Sequence, residues 1–419
     1  MIRHGGTDVS ISDAVVAKSV SRESWDYPDV DTQHLTHGIH RYSGKFIPQI
    51  ASRAIKILTK PGELVLDPYC GSGTTLLEAA LLGRGAVGLD LNPLAVLIAS
   101  AKTTRIRIDL LESLVASVHV DLSFLDLEKP RLPRHAGLDG TDLRCAAVRD
   151  RRLTDEWFTK WYEPGVLEEL LIIDHVVSRV ENPQLRNVAR VAFSDILRRC
   201  SRAHSGYPNV MFDRNAPARS SPGPLFLRTL RSICRTVASL WSSAADLENV
   251  VVKQGTAVKL SVADDSVDAI ITHPPYVGSI PYAEYQALSL RWMGADSKAL
   301  DRALTGGRRL TSDVIGRFRQ SYGEMWAECA RVLRPGRCAF VMVGNPVVRG
   351  ETVDLAVMSR ELAHLAGLQS VTATERQGIN RRANKMGMEH LLFFRKPRDR
   401  FRAKRRADVA DSSSTSGQA

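Results

Sequence analysis

Two short stretches of this sequence combine residue types whose spacing could do chemistry. The first is Asp67-Pro68-Tyr69-Cys70-Gly71-Ser72-Gly73-Thr74, followed at a distance by Asp90 and Asn92. Gly71 and Gly73 let the backbone turn sharply and bring bare peptide groups against a ligand. Asp90 closes the next apolar run, where a carboxylate could grip a pair of ribose hydroxyls. The turn is not the G-x-G-x-x-G of a dinucleotide fold, and no lysine follows it as in a phosphate loop. A ligand with a ribose but no pyrophosphate fits better, and S-adenosylmethionine (SAM) is one.

The second stretch is His273-Pro274-Pro275-Tyr276, after the apolar run Ala269 to Thr272. Two successive prolines hold the backbone rigid and lack N–H groups that would compete for nearby carbonyls. Tyr276 offers a flat face on which a base taken out of its stack could rest.

The elements that must position these residues follow from hydrophobic spacing. Leu64 to Leu66 and Ala86 to Leu89 are predicted as buried strands, joined by a helix from Thr74 to Leu82. A helix from about Gln49 to Thr59 precedes them, with Pro48 in its first turn. Asn92 is predicted to cap a helix reaching Lys102. Val250 to Val252 and Ala269 to Thr272 begin a second half. It continues through a helix from Tyr282 to Trp292, one from Tyr322 to Leu333, the turn Arg334-Pro335-Gly336 and a strand from Cys338 to Val343. Glu389 to Phe394 is expected as an antiparallel strand at the sheet edge.

Residues 105–247 form a long insertion with helical spacing at Leu110–Val118, Gly165–Val180, Asn187–Cys200 and Leu225–Leu240. Trp157, Phe158, Trp161 and Tyr162 are expected to pack between helices rather than stack on bases. In the loop from Ser201 to Gly223, Arg202, Arg214 and Arg219 could touch phosphates, as could Arg381 and Arg382 further on.

The turn Asp67 to Thr75 resembles the first motif of SAM-dependent amino-group DNA methyltransferases, the N4-cytosine and N6-adenine methylases. His273-Pro274-Pro275-Tyr276 resembles their catalytic motif. The resemblance spans Gly38 to Thr103 and Val250 to Lys396. It implies an α/β fold of the Rossmann-like class I methyltransferase kind, a mostly parallel seven-stranded sheet with a helical insertion. It implies SAM contacts from Lys45, Phe46, Asp67, Tyr69, Cys70, Gly71, Ser72, Gly73, Thr74, Asp90 and Asn92, with Lys45 and Phe46 in a segment closing over the cofactor. Apart from the resemblance, Tyr282 and Tyr285 could help Tyr276 seat the substrate strand, or merely pack.

The chemistry implied has a specific difficulty. The lone pair of an exocyclic amino group is delocalised into its ring, so the enzyme must accept hydrogen bonds from the NH2 to localise it. By resemblance, the carbonyl of Pro274 and the side chain of His273 are the two acceptors. His273 departs from the family, which has Ser, Asp or Asn there. A neutral imidazole can accept and a protonated one cannot, so activity should fall below the ordinary histidine pKa of about 6.5. Thr256 also departs, since the family often has an acid there beside the adenine.

The chain thus divides into an N-terminal arm (1–37), a SAM-binding half (38–104), the insertion (105–247), a catalytic half (248–396) and a basic, Ser-rich tail (397–419). Residues up to about 34 carry little periodicity and read as an arm or a loosely docked segment. A formal charge of +11, from 57 Lys and Arg against 46 Asp and Glu, favours a polyanionic partner. Six scattered cysteines without a C-x-x-C pair indicate neither a zinc site nor a disulfide framework, and no metal is expected. No apolar run approaches the roughly 20 residues that span a bilayer, and the N-terminus lacks a signal-like core, so a cytoplasmic location without membrane contact is expected. The expected activity is site-specific methylation of double-stranded DNA with the base flipped, cytosine N4 before adenine N6. RNA as substrate, of the tRNA guanine-N2 type, and a silent SAM- or nucleic-acid-binding protein are the alternatives. A restriction or defence partner would be unidentified.

Overall fold

The structure is a computed structural model that describes residues 11–124, 149–207, 209–217, 219–240, 247–278, 282–306, 313–377 and 387–398. Its core is a seven-stranded sheet. Parallel strands are β1 (Leu64–Asp67), β2 (Gly85–Asp90), β3 (Val250–Gln254), β4 (Val267–Thr272) and β5 (Leu333–Gly344). A small hairpin, β6 (Val347–Val348) with β7 (Glu351–Thr352), stands apart. β8 (Gln369–Gln377) and β9 (Met388–Arg395) complete the sheet antiparallel, in the order β3-β2-β1-β4-β5-β9-β8. The mixed, mostly parallel architecture is the one expected.

The order reverses between β1 and β4. The chain leaves β1 for one side of the sheet and returns at β4 for the other, so their carboxyl ends open a crevice between diverging connections. β1 and β4 are mostly apolar because helices cover both faces: Val65, Leu66, Ala269, Ile270 and Ile271 are at most 1% exposed. In register, Leu66 pairs with Ile270. The two motif turns are therefore carried out side by side.

The helices flanking the first turn are α2 (Pro48–Leu58), α3 (Thr74–Leu81) and α4 (Pro93–Lys102), the last capped by Asn92 Oδ1, which accepts from Leu94 N–H at 3.0 Å. The insertion is helical as expected, with α5 (Ile108–Phe124) and longer helices over Pro164–Ser178, Pro183–Cys200 and Pro222–Ala238. It is not a separate core. Leu94, Leu97 and Ile98 of α4 pack in one apolar cluster with Leu170, Val188 and Phe226 of the insertion. Phe158, Trp161 and Tyr162 are buried in that cluster, as expected of packing aromatics.

Four elements differ from expectation. The arm is not loosely docked: α1 (Asp13–Ser21) is followed by Trp25, 1% exposed and stacked on Phe340 of β5 at 6.2 Å. β9 is not the edge strand, because β8 lies outside it. The helix expected from Tyr322 already begins at Val314, and the stretch Tyr282 to Trp292 is two short helices broken at Gln286. Residues 378–386 and 399–419, which include Arg381, Arg382 and most of the basic tail, lie outside the described residues.

Candidate active site

The glycine turn is held by its neighbour strand. Cys70 N–H donates to Leu89 O at 2.9 Å and Gly71 N–H to Asp90 Oδ2 at 2.9 Å. Gly71 and Gly73 have φ of +49° and +80°, a region that strains any residue with a Cβ. A Cβ on Gly73 would also lie 2.8 Å from that of Ala99 on α4. The turn thus depends on glycine for both conformation and space.

Asp90 accepts from Gly71 N–H and from Asn92 N–H, the latter at 2.9 Å to Oδ1. Each oxygen retains a lone pair for a further donor. Burial pushes its carboxyl up to about 6 against these hydrogen bonds. Asp67 is likewise pushed up to about 6 by burial, and accepts from Thr272 Oγ1 at 2.7 Å and from Tyr69 N–H at 3.1 Å. That contact joins β1 to β4 directly beneath the two motifs.

A cleft opens here, lined by Tyr42, Tyr69, Gly71, Asp90, Asn92, Gly255, Thr256, His273, Pro275 and Tyr282 among others. An adjoining cavity is lined by Lys45, Phe46, Asp67, Cys70, Ser72 and Thr74, and shares Tyr42, Tyr69, Gly71 and His273. The expected cofactor residues other than Gly73 thus divide between two adjoining spaces. A carboxylate at the end of β2, bare peptide groups at Gly71 and an apolar floor suit a ribose-bearing ligand such as SAM. Cys70 is a packing residue: burial pushes its thiol well above the ordinary range, away from thiolate chemistry. Ser72 accepts from the buried Lys102 Nζ at 3.2 Å, and Lys45 Nζ donates to His37 O at 2.8 Å. Thr256 lines the cleft, so a hydroxyl rather than a carboxylate stands there.

The second motif differs in detail from expectation. His273 and Pro275 line the cleft, but Tyr276 is 3% exposed and its ring is not open for stacking. Gly306 packs against it: a Cβ there would meet Pro275 Cβ at 2.7 Å and Tyr276 O at 3.1 Å. The Tyr276 hydroxyl instead lies 2.6 Å from His273 Nε2, with Glu389 of β9 nearby. Glu389 accepts from Arg376 Nη1 at 2.9 Å. In one tautomer of His273, Nε2–H donates to the phenol oxygen and Nδ1 is left as an acceptor.

Burial, with Arg376 nearby, lowers the His273 imidazole to about 4. The sequence-based expectation of a loss below pH 6.5 is therefore displaced, because a desolvated imidazole resists protonation. Phe46 packs beside His273, ring centroids 5.6 Å apart.

Sequence reasoning did not single out Tyr42, Glu389, Arg376 or Gln286. Asn92 Nδ2 donates to Gln286 Oε1 at 2.5 Å, and His40 Nε2 lies 3.0 Å from Ser194 Oγ, itself donating to Ser289 at 2.8 Å. The insertion is thereby tied to the cofactor side through polar contacts. Its loop arginines are partly committed: Arg202 lies over the Phe212 ring and Arg219 donates to Ala203 O at 2.9 Å, while Arg214 is exposed.

Strand order, a glycine turn on β1, the acid on β2 and a Pro-Pro turn on β4 define a SAM-dependent methyltransferase fold. Within that class, residues 10–101 match the DNA methylase family of N6 and N4 enzymes, and the chain is a distant homologue of type II DNA methyltransferases. It is 25% identical over 315 residues to the type II methyltransferase M.MvaI of Kocuria varians, covering 68% of this chain and 66% of that one. To M.MjaII of Methanocaldococcus jannaschii it is 22% identical over 333 residues, 61% of this chain and 62% of that one. The chain thus spans just under two thirds of the length of these relatives. A shorter likeness, 34% over 68 residues, is to the tRNA (guanine(10)-N2)-dimethyltransferase of the same archaeon, covering 16% of this chain and 19% of that one. Among the described residues, no helix is long and apolar enough to cross a membrane.

Proposed function

We propose that this protein methylates an exocyclic amino group of a base in double-stranded DNA at specific sites, cytosine N4 first and adenine N6 second, with the base flipped out of the duplex. One observation carries the reading: the two motif turns leave adjacent strands into one cleft, with His273 held as a neutral acceptor beside the glycine turn and Asp90. Bound SAM supplies an electrophilic methyl group on a sulfonium.

The chain's own residues do the rest. Asp90 and the Gly71 turn hold the ribose, and Lys45, Ser72 and Thr74 face the cofactor's other end. His273 Nδ1 and the Pro274 carbonyl accept from the target NH2, which localises its lone pair. Tyr276 fixes the His273 tautomer, and Tyr42 and Tyr282 flank the entering base. A net charge of +11 favours the polyanionic substrate. The type II relatives make a restriction partner part of this reading.

The likeness to a tRNA methyltransferase favours one rival, methylation of RNA. The deciding experiment is methyl transfer from labelled SAM to unmethylated genomic DNA and, in parallel, to total RNA, followed by nucleoside mass spectrometry. N4-methylcytosine or N6-methyladenine is the expected product. Label confined to RNA would move the function to the rival. SAM binding with no label in either would mark a silent binding protein.

A further inference from the structure

Behind the glycine turn, away from the cleft, two histidines and a glutamate meet in an arrangement that the methyl-transfer reading does not use. His34 caps a single 3-10 turn, Leu35–Gly38, and His37 lies within it. With three residues per turn, side chains at i and i+3 eclipse, and the two imidazole centroids lie 4.7 Å apart. Leu35 between them has φ of +49°, a left-handed conformation strained for a leucine. Glu78 faces them from α3 and is buried.

Both imidazoles converge on a single oxygen. His34 Nε2 lies 3.3 Å and His37 Nε2 2.9 Å from Glu78 Oε1. The protons do not distribute comfortably over these contacts. His34 Nδ1 is 3.1 Å from the carbonyl of Asp31, which can only accept, so Nδ1 carries that ring's proton. In a neutral ring Nε2 is then a lone pair aimed at a carboxylate oxygen, acceptor against acceptor. His37 is 1% exposed and its Nδ1 has no hydrogen-bond partner, so Nε2 is its single engaged atom.

A cation removes the conflict. The three donor atoms lie within 4.8 Å of one another. Metal–ligand bonds of about 2.0–2.1 Å in a tetrahedron put neighbouring ligand atoms about 3.3 Å apart. A histidine that donates its other ring N–H to a backbone carbonyl is the usual support of a metal ligand. Two imidazoles and one carboxylate suit zinc better than calcium or magnesium. The His34 side chain is 34% exposed, which leaves an entrance and room for a water as fourth ligand.

We propose that His34, His37 and Glu78 bind a divalent ion of the zinc type. The ion clamps the 34–46 segment, which carries Lys45 and Phe46, to the helix that follows the glycine turn. It is a structural clamp outside the reacting centre, and it stands independently of which nucleic acid is methylated.

The test uses the full chain, stripped with a chelator and titrated with Zn²⁺ and, for its visible absorption, Co²⁺. The expected result is one equivalent bound, a tetrahedral cobalt spectrum and a rise in melting temperature with zinc. His34→Gln, at a partly exposed position, should weaken binding at least about tenfold and abolish the zinc-dependent rise. Glu78→Gln should do the same. Absence of stoichiometric binding, or binding unchanged in folded His34→Gln, overturns the proposal. So does an NMR titration showing His34 as an imidazolium paired to Glu78 in the metal-exposed protein.

Discussion

The Nε2 atom of His273 lies 2.6 Å from the hydroxyl of Tyr276. The tyrosine therefore faces the histidine rather than a base. Tyr276→Phe should keep the fold, since the ring stays buried, and keep SAM affinity within about twofold. Its methyl-transfer rate should fall about 100-fold, the lower end of what positioned acid–base groups contribute. Single-turnover kinetics beside SAM titration would separate the two. A rate equal to wild type would remove Tyr276 from the machinery.

His273→Phe removes the side-chain acceptor and fills its space with an apolar ring beside Phe46. Transfer should be lost while SAM still binds. His273→Asn, which restores an acceptor of the kind the family uses, should recover part of the rate. Recovery by Phe as well as Asn would show that the imidazole is not the acceptor.

The pH profile should follow the two buried carboxyls raised to about 6, Asp90 at the cleft and Asp67 beneath it. Burial raises the Asp90 carboxyl, and only the ionised form accepts from a ribose diol on both oxygens. As pH falls below about 6 the protonated fraction grows, so SAM affinity should drop toward about tenfold per pH unit. Asp90→Asn should bind weakly and with a shallower slope, Asp67 still titrating near 6. The His273 limb, near 4, should lie below it. A profile for SAM binding that is flat from pH 7 to 5 would contradict this assignment.

Gly73→Ala meets two penalties, φ of +80° and a Cβ 2.8 Å from that of Ala99. A loss of about 1–3 kcal/mol is expected from backbone strain alone. Gly62→Ala, also left-handed at φ +82° but open on every side, provides the control without the clash. Equal losses in the two, measured by denaturant unfolding, would show that α4 yields freely.

Trp25→Ala should destabilise the whole sheet by about 3–5 kcal/mol, the usual range for an emptied tryptophan site. The side chain packs on Phe340 and Phe393 and carries the Arg53 guanidinium 4.1 Å above its ring. A variant with unchanged unfolding midpoint would return the arm to a loose attachment.

What the sequence made legible is local. The run Leu64 to Asn92 contains strand, turn, helix, strand and acid in one continuous stretch, and each part lies where its spacing put it. The Pro-Pro turn on β4 was equally readable. The rest depended on contacts across the chain. α1 shows only Val16 and Val20 as an apolar stripe, and its docking comes from Trp25 meeting strands more than 300 residues later. β8 is Gln-Ser-Val-Thr-Ala-Thr-Glu-Arg-Gln, an edge strand without an apolar alternation to announce it. The state of His273 needed Arg376, which the sequence keeps over 100 positions away. His34 and His37 did offer a visible i, i+3 pair, but their third partner sits on a helix read only for its apolar face.

The hydrogen bond from Thr272 to Asp67 spans 205 positions of chain. On a ribosome, the glycine turn is complete long before the strand that must lie beside it exists, and the whole insertion is made in between. No fragment ending before Thr272 can assemble the cleft, however well its first half folds. Contacts so distant in sequence also slow folding, because the intervening loop must close before they form. Splitting the gene within the insertion would thus yield two inert pieces, with a working site returning only when both are present.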